Sequence, residues 1–174
     1  MFALIFGLSF LANAQDAKSN QPKGYQFTDI KRLPATSVKD QARAGTCWSW
    51  SGISFFESEM IRMGKEPIDL SAMYIVRHAY SDKATKFVRL HGSMNFAVGG
   101  AFCDVMHVIK NYGIVPMDVY KGLNYGEPNH AFGEIDDVLA GYVNAVIKNS
   151  NKKLSTAWKK GFDGILDAYL GEEP

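Results

Sequence analysis

The sequence predicts a predominantly α-helical domain with little β-strand. Several stretches repeat apolar residues at three- and four-residue spacing, which is the period of an amphipathic helix. Gly64 and Gly113 follow two of these stretches, as glycines do at helix C-termini. The length of 174 residues fits one domain large enough to bury a core.

The composition excludes some function classes. The chain is 47% hydrophobic and 21% charged, with a formal net charge of +1. Basic residues are scattered among acidic ones, whereas a nucleic-acid-binding surface needs a basic patch. No nucleic-acid partner is therefore expected.

The first residues read as a targeting segment. "MFALIFGLSFLANAQ" is an apolar run that ends in the small-residue pattern Ala12-Asn13-Ala14. The run is too short for a permanent membrane span, which needs about 20 residues. We expect a signal peptide over 1–14, a polar linker over 15–24, and a secreted or periplasmic protein. The alternative is a first strand or helix of the domain.

The elements of the domain then follow in order. Residues 25–41 read as extended because apolar positions alternate and β-branched residues are frequent. A first helix is predicted from Thr46 or Cys47 to Gly64. One of its faces carries Ile53, Phe56 and Met60.

Four further helices are predicted. Ser71 can cap a second helix, which begins at Ala72 and continues as a helical stretch to about Leu90. A third helix covers 101–112 and stops at Gly113. Residues 114–130 read mostly as loop, and helices are predicted over about 134–148 and 155–170.

Cys47 is a candidate nucleophile. A thiol reacts as its thiolate, and the free N–H groups at a helix N-terminus favour that negative charge. The Cys47 N–H could also donate to a developing oxyanion, with the Gln41 amide as a second donor. The alternative is a structural cysteine packed beside Trp48, since a free cysteine usually behaves as a small buried hydrophobe.

The segment "QARAGTCWSW" resembles the active-site segment of papain-like cysteine peptidases, which has Gln, a Gly-containing turn and Cys-Trp. "DLSAMYIVRH", "NFAVGGAFCDVMHVIKNYGIV" and "DVYKGLNY" resemble later segments of that family. The resemblance implies catalytic roles for Cys47 and Gln41 and a peptide substrate. It covers roughly residues 25–174.

One departure narrows the resemblance. Papain has a disulfide between the positions of Ala44 and Ala97, and this chain cannot form it. Its absence and the added C-terminal helices resemble the bleomycin hydrolase and aminopeptidase C branch, which implies a possible homo-oligomer of the full-length enzyme. Both Cys47 and Cys103 are expected to be free thiols.

The family fold is α+β with two lobes. The resemblance implies that residues 25–174 are the mostly α-helical lobe. The general base His and its orienting Asn are expected about 130 to 150 residues after the cysteine, beyond Pro174. We therefore expect a β-rich lobe that is missing here, and a fragment that is inactive alone.

Gly99 and Gly100 allow two interpretations. They can form a plain turn, or they can let an extended peptide approach the backbone, as in strand addition. The resemblance favours substrate binding.

No metal or cofactor is expected. Cys103 and His107 are four residues apart on a helix, but no further ligand pair accompanies them. None of the four histidines is favoured as the base. They read better as surface or core residues.

Two functions remain open at this point. The first is an aminopeptidase-like cysteine peptidase, and the alternative is a non-catalytic helical peptide-binding module or a degenerate relic. If the second lobe is missing, the helix face around Ser49, Gly52 and Ile53 should be exposed. The sequence does not distinguish aminopeptidase from endopeptidase activity, nor does it give side-chain specificity.

Overall fold

The structure, a computed structural model, describes residues 24–174. They form five helices: α1 (Cys47–Arg62), α2 (Ala72–Arg89), α3 (Phe102–Tyr112), α4 (Gly133–Ile147) and α5 (Ala157–Leu170). No strand forms in this part of the chain, and only two isolated β-bridges join Arg43 to Ala131 and Leu70 to Pro116. The mostly helical fold predicted from the sequence is confirmed.

Local signals explain where the helices begin and end. The Ser71 hydroxyl accepts the Tyr74 N–H at 3.0 Å and so caps α2, which then runs without a break to Arg89. Gly64 and Gly113 follow α1 and α3 with φ of +77° and +84°. Only glycine adopts such angles at little cost, so both helices stop where the sequence predicted.

The chain divides after Arg32 into two units. The described part of the first, residues 24–32, has no regular element, and the predicted extended segment 25–41 forms no strand. The second unit, residues 33–174, contains all five helices. The predicted signal peptide and nearly all of the linker lie outside the described residues.

Helix α2 is the centre of the helical unit. It contacts α1, α3, α4 and α5. Ile75 and Val76 of α2, Ile135 and Leu139 of α4, and Phe162 of α5 are almost fully buried. Its contacts on several sides leave residues 71–80, which include the first half of α2, buried without interruption, whereas each outer helix buries only two to five residues.

The prediction that the α1 face around Ser49, Gly52 and Ile53 is exposed is wrong. Ser49, Gly52 and Ile53 are buried against α2 and α3. The Ser49 hydroxyl donates to the carbonyl oxygen of Ala72 at 2.8 Å. A Cβ added at Gly52 would lie 2.8 Å from Val105, so glycine is needed there for the close approach of α3.

The exposed residues of α1 include Cys47, Ser51, Ser54 and Phe55. The first three are spaced by four and three residues, and this spacing places them on one side of the helix. Within residues 24–174, no helix combines the length and the apolar character that a membrane span requires.

Candidate active site

A tight turn brings Gln41 and Cys47 to the same cleft. The Asp40 carboxylate accepts the Ala42 N–H at 2.7 Å, and the Gln41 carbonyl accepts the Ala44 N–H at 3.2 Å. Gly45 completes the turn with φ of +64°. The chain thus reverses between the amide side chain and the start of α1.

A parallel bridge fixes the outer side of this turn. The Arg43 N–H donates to the His130 carbonyl at 2.9 Å, and the Phe132 N–H donates to the Arg43 carbonyl at 3.2 Å. Ala44 is fully buried beside it. The turn is therefore anchored both to α1 and to the loop that precedes α4.

The Cys47 thiol is exposed and lines a cleft of about 430 Å³, named here the Cys47 cleft. One wall is formed by residues 35–39 and Gln41. The other is formed by α1, through Cys47, Trp50, Ser51 and Ser54.

Cys47 is the first residue of α1, with Thr46 as its N-cap. No acceptor among residues 24–174 takes the backbone N–H of Cys47 or Trp48, whereas Ser49 and Trp50 donate theirs to the Thr46 carbonyl. The start of α1 thus offers free N–H groups beside the thiol, as an anion-binding helix terminus does.

Two tryptophans hold the start of α1 in place. Trp50 Nε1 donates to Thr46 Oγ1 at 3.0 Å. Trp48 is buried, and its Nε1 donates to the carbonyl oxygen of Val98 at 3.0 Å. The second bond ties the residue after Cys47 to residues 97–100, named here the glycine loop.

The glycines of this loop have different surroundings. A Cβ added at Gly100 would lie 2.5 Å from Trp48, whereas a Cβ at Gly99 would meet no atom within 4 Å. Gly100 is thus required by packing, a reason that neither interpretation of the sequence contained. Both glycines are exposed, and no described residue binds the Gly100 N–H or C=O.

A buried carboxylate supports the wall formed by residues 35–39. Glu57 is almost fully buried and accepts hydrogen bonds from Thr36 Oγ1, from Lys39 Nζ at 2.8 Å and from the Leu70 N–H at 2.8 Å. Asp69 also contacts Lys39 Nζ, at 2.7 Å. Burial opposes the charge on Lys39, but these two carboxylates outweigh it and raise the pKa of the lysine.

The histidines do not line the Cys47 cleft. His130 lies nearby, with its ring 6.0 Å from that of Trp50, and burial lowers its pKa. His78 is buried on α2, and His107 Nε2 lies 3.1 Å from Asp82 Oδ2. Within residues 24–174, no three His, Cys, Asp or Glu side chains are grouped as metal ligands.

An exposed cysteine at a helix start, an amide in the same cleft and an open glycine loop are typical of the nucleophile side of a thiol peptidase. The family model described as "Papain family cysteine protease" matches residues 22–159. The chain therefore belongs to the papain family of cysteine proteases.

One curated protein and one solved structure are similar to this chain. "Cathepsin B-like CP2" of Giardia intestinalis is 28% identical over 92 residues, which cover 47% of this chain and 31% of that protein. The crystal structure of PepW from Lactobacillus rhamnosis HN001 superposes with a TM-score of 0.59 at 19% identity, covering 84% of this chain and 39% of PepW. The chain thus spans about a third of the length of each of these two proteins.

Proposed function

We propose that this chain carries the nucleophile side of a cysteine peptidase that cleaves peptide bonds through the Cys47 thiolate. The observation that carries the proposal is the placement of Cys47 and Gln41 in one cleft at the start of α1. The family membership supports the same chemistry.

The proposed reaction has two steps. The Cys47 sulfur attacks the scissile carbonyl carbon, and the Cys47 N–H and the Gln41 amide stabilise the oxyanion. A histidine of the second lobe takes the proton of the Cys47 thiol and gives it to the amine as the C–N bond breaks. Water then adds to the thioester carbon, its proton passes to the histidine, and the C–S bond breaks to release the acid and restore Cys47. The lining of the Cys47 cleft supplies no imidazole, so we expect the isolated 174-residue chain not to turn over peptides.

The glycine loop fits the binding of the substrate main chain. Its exposed Gly100 retains a free N–H donor and a free C=O acceptor toward the described residues. An extended peptide could pair with both groups as an added strand does. We propose an aminopeptidase of the bleomycin hydrolase and aminopeptidase C branch, because Ala44 and Ala97 stand where papain has its disulfide.

Selective alkylation tests the nucleophile. We expect iodoacetamide near neutral pH to modify Cys47 of the native protein faster than Cys103, as measured by mass spectrometry of peptides at timed intervals. Both thiols are exposed and both lie in the first turn of a helix, Cys103 in that of α3, so neither accessibility nor a helix start alone predicts a difference. Cys103 is thus an internal control.

The variants Cys47→Ser and Cys103→Ser complete the test in the full-length protein. We expect the first to abolish hydrolysis of an aminoacyl fluorogenic substrate and the second to preserve it. Hydrolysis that survives Cys47→Ser would show that Cys47 is not the nucleophile. If Cys47 reacts no faster than Cys103 and the full-length wild type hydrolyses no such substrate, the peptidase proposal is wrong. The free glycine-loop groups would then favour a non-catalytic peptide-binding module.

A further inference from the structure

Lys83 of α2 donates hydrogen bonds to the backbone of the glycine loop. Lys83 Nζ donates to the carbonyl oxygens of Ala97, at 3.3 Å, and of Gly99. The same ammonium lies 5.5 Å from the centre of the Trp48 ring, within the range of a cation–π contact. Lys83 therefore touches both the loop and the residue that follows the nucleophile.

Lys83 and Trp48 together donate hydrogen bonds to three consecutive carbonyl groups of the loop. Trp48 Nε1 donates to the carbonyl oxygen of Val98, which lies between the two carbonyls that accept from Lys83. The Gly100 N–H and C=O remain without partners among residues 24–174. The groups bound by the protein and the groups left for a ligand are thus adjacent along the same backbone.

We propose that Lys83 is a positioning residue, which fixes the glycine loop so that Gly100 presents its N–H and C=O to a peptide main chain. The inference rests on the proposed peptidase function. Lys83 itself does not touch the reacting atoms and acts through the loop.

The loop needs such a constraint for two reasons. Adjacent glycines have wide conformational freedom, so ordering them on substrate binding costs more entropy than ordering other residues. Papain restrains the corresponding loop with a disulfide, whereas this chain has Ala44 and Ala97 at those positions. Hydrogen bonds from an ammonium are charge-assisted and are stronger than bonds between neutral groups.

The surroundings of Lys83 indicate that its contacts matter. Burial lowers the pKa of Lys83 because the ammonium loses water, and Asp104 and Asp136 partly offset this. A lysine at this position is therefore disfavoured unless its contacts with the loop and with Trp48 compensate.

Three variants of the full-length protein test the role. Lys83→Met removes the ammonium and keeps an unbranched side chain, Lys83→Arg keeps a cation, and Lys86→Met removes an exposed charge from the same helix. Each is treated separately with a peptidyl chloromethyl ketone, which needs the loop to bind its main chain, and with iodoacetamide, which does not. The second-order rate of Cys47 modification is measured for both reagents.

We expect Lys83→Met to slow the peptidyl reagent about tenfold, the loss that corresponds to one charge-assisted hydrogen bond. The iodoacetamide rate should stay unchanged, Lys83→Arg should restore most of the peptidyl rate, and Lys86→Met should behave as wild type. Hydrogen–deuterium exchange of the amides of residues 98–101 should be faster in Lys83→Met.

Other outcomes separate the two proposals. The positioning role of Lys83 would be overturned if Lys83→Met slowed both reagents equally or slowed neither. Unchanged amide exchange in the loop of this variant would overturn it as well. A wild-type Cys47 that reacts with the peptidyl reagent no faster than Cys103 would instead overturn the proposed peptidase function.

Discussion

At the scale of single residues, the Gln41 amide contributes little to the stability of the fold. Its Oε1 is buried without a hydrogen-bond partner among the described residues. Such an atom is rare in folded proteins and costs about 1–3 kcal/mol. Gln41 thus lines the Cys47 cleft without a net gain in stability from its amide oxygen, and the role proposed for it uses the N–H donors of the same amide.

Replacement of Gln41 by alanine should therefore separate activity from stability. In the full-length protein, loss of one oxyanion donor should lower kcat by about a hundredfold or more. The unfolding midpoint in urea should not fall, because the buried unpaired oxygen is removed. Unchanged turnover in Gln41→Ala would contradict the assigned role.

The two glycines of the loop give a second prediction at this scale. In Gly100→Ala the new methyl group would lie within 3 Å of three carbons of the Trp48 indole. Those carbons belong to a rigid and buried ring, so we expect a loss of about 1–3 kcal/mol from overpacking. Urea unfolding followed by tryptophan fluorescence measures the change.

Gly99→Ala is the matched control, because its Cβ would meet no atom within 4 Å. Its stability should stay within about 0.5 kcal/mol of wild type. Equal destabilisation by both variants would show that backbone freedom, and not the contact with Trp48, explains the pair.

At the scale of elements, local signals made the helices predictable. The Ser71 cap and the glycines after α1 and α3 act within a few residues of the helix ends, so the sequence reveals them directly. The exposed face of α1 was predicted wrongly because it depends on where α2 and α3 pack. Apolar spacing shows that a helix has a buried side, but small residues such as Ser49 and Gly52 do not show which neighbour covers them.

The candidate site was only partly predictable for the same reason. Cys47, Gln41, Gly99 and Gly100 lie in short motifs that can be read in the sequence. Lys83, by contrast, acts on carbonyl groups 14 and 16 residues further along the chain. No periodicity or motif signals such a contact, because it exists only once α2 and the glycine loop have packed.

Glu57 links α1 to the wall of the Cys47 cleft and to the start of α2. In Glu57→Ala, the Lys39 ammonium loses one of its two carboxylate partners and the Leu70 N–H loses its acceptor. We expect a loss of about 3 kcal/mol, typical of a buried ion pair broken on one side. Chemical denaturation measures it.

Glu59→Ala is the control for this variant. Glu59 lies on the same helix and pairs with exposed Arg62 at 2.8 Å. Exposed ion pairs contribute little, so Glu59→Ala should leave the free energy of unfolding nearly unchanged. A Glu57→Ala protein as stable as Glu59→Ala would show that residues 35–39 are held by other contacts.

At the scale of the whole molecule, two buried histidines should make stability depend on pH. His78 lies between the rings of Tyr74 and Tyr112, with centroid distances of 4.4 and 4.2 Å. Burial lowers its pKa and outweighs Glu173, whose Oε1 lies 3.3 Å from His78 Nε2. Burial likewise lowers the pKa of His130.

Both shifts have the same consequence for the folded chain. A histidine whose pKa is lower in the folded state binds its proton more readily after unfolding. Between the ordinary value of about 6.5 and the lowered value, the unfolded state therefore gains protons that the folded state does not. Above this pH window the free energy of unfolding should have its full value. It should decline as the pH falls through the window.

Urea unfolding of the 174-residue chain between about pH 7.5 and about pH 5.5 tests this expectation, with those limits set about one unit either side of the ordinary histidine value. The decline should be shallower in His130→Gln and in His78→Gln, because each variant removes one group that takes up a proton on unfolding. His91→Asn is the matched control, since His91 is exposed with φ of +49°, a conformation that asparagine tolerates. A decline that is equally steep in all three variants would assign acid sensitivity to the carboxylates and exclude a contribution from the buried imidazoles.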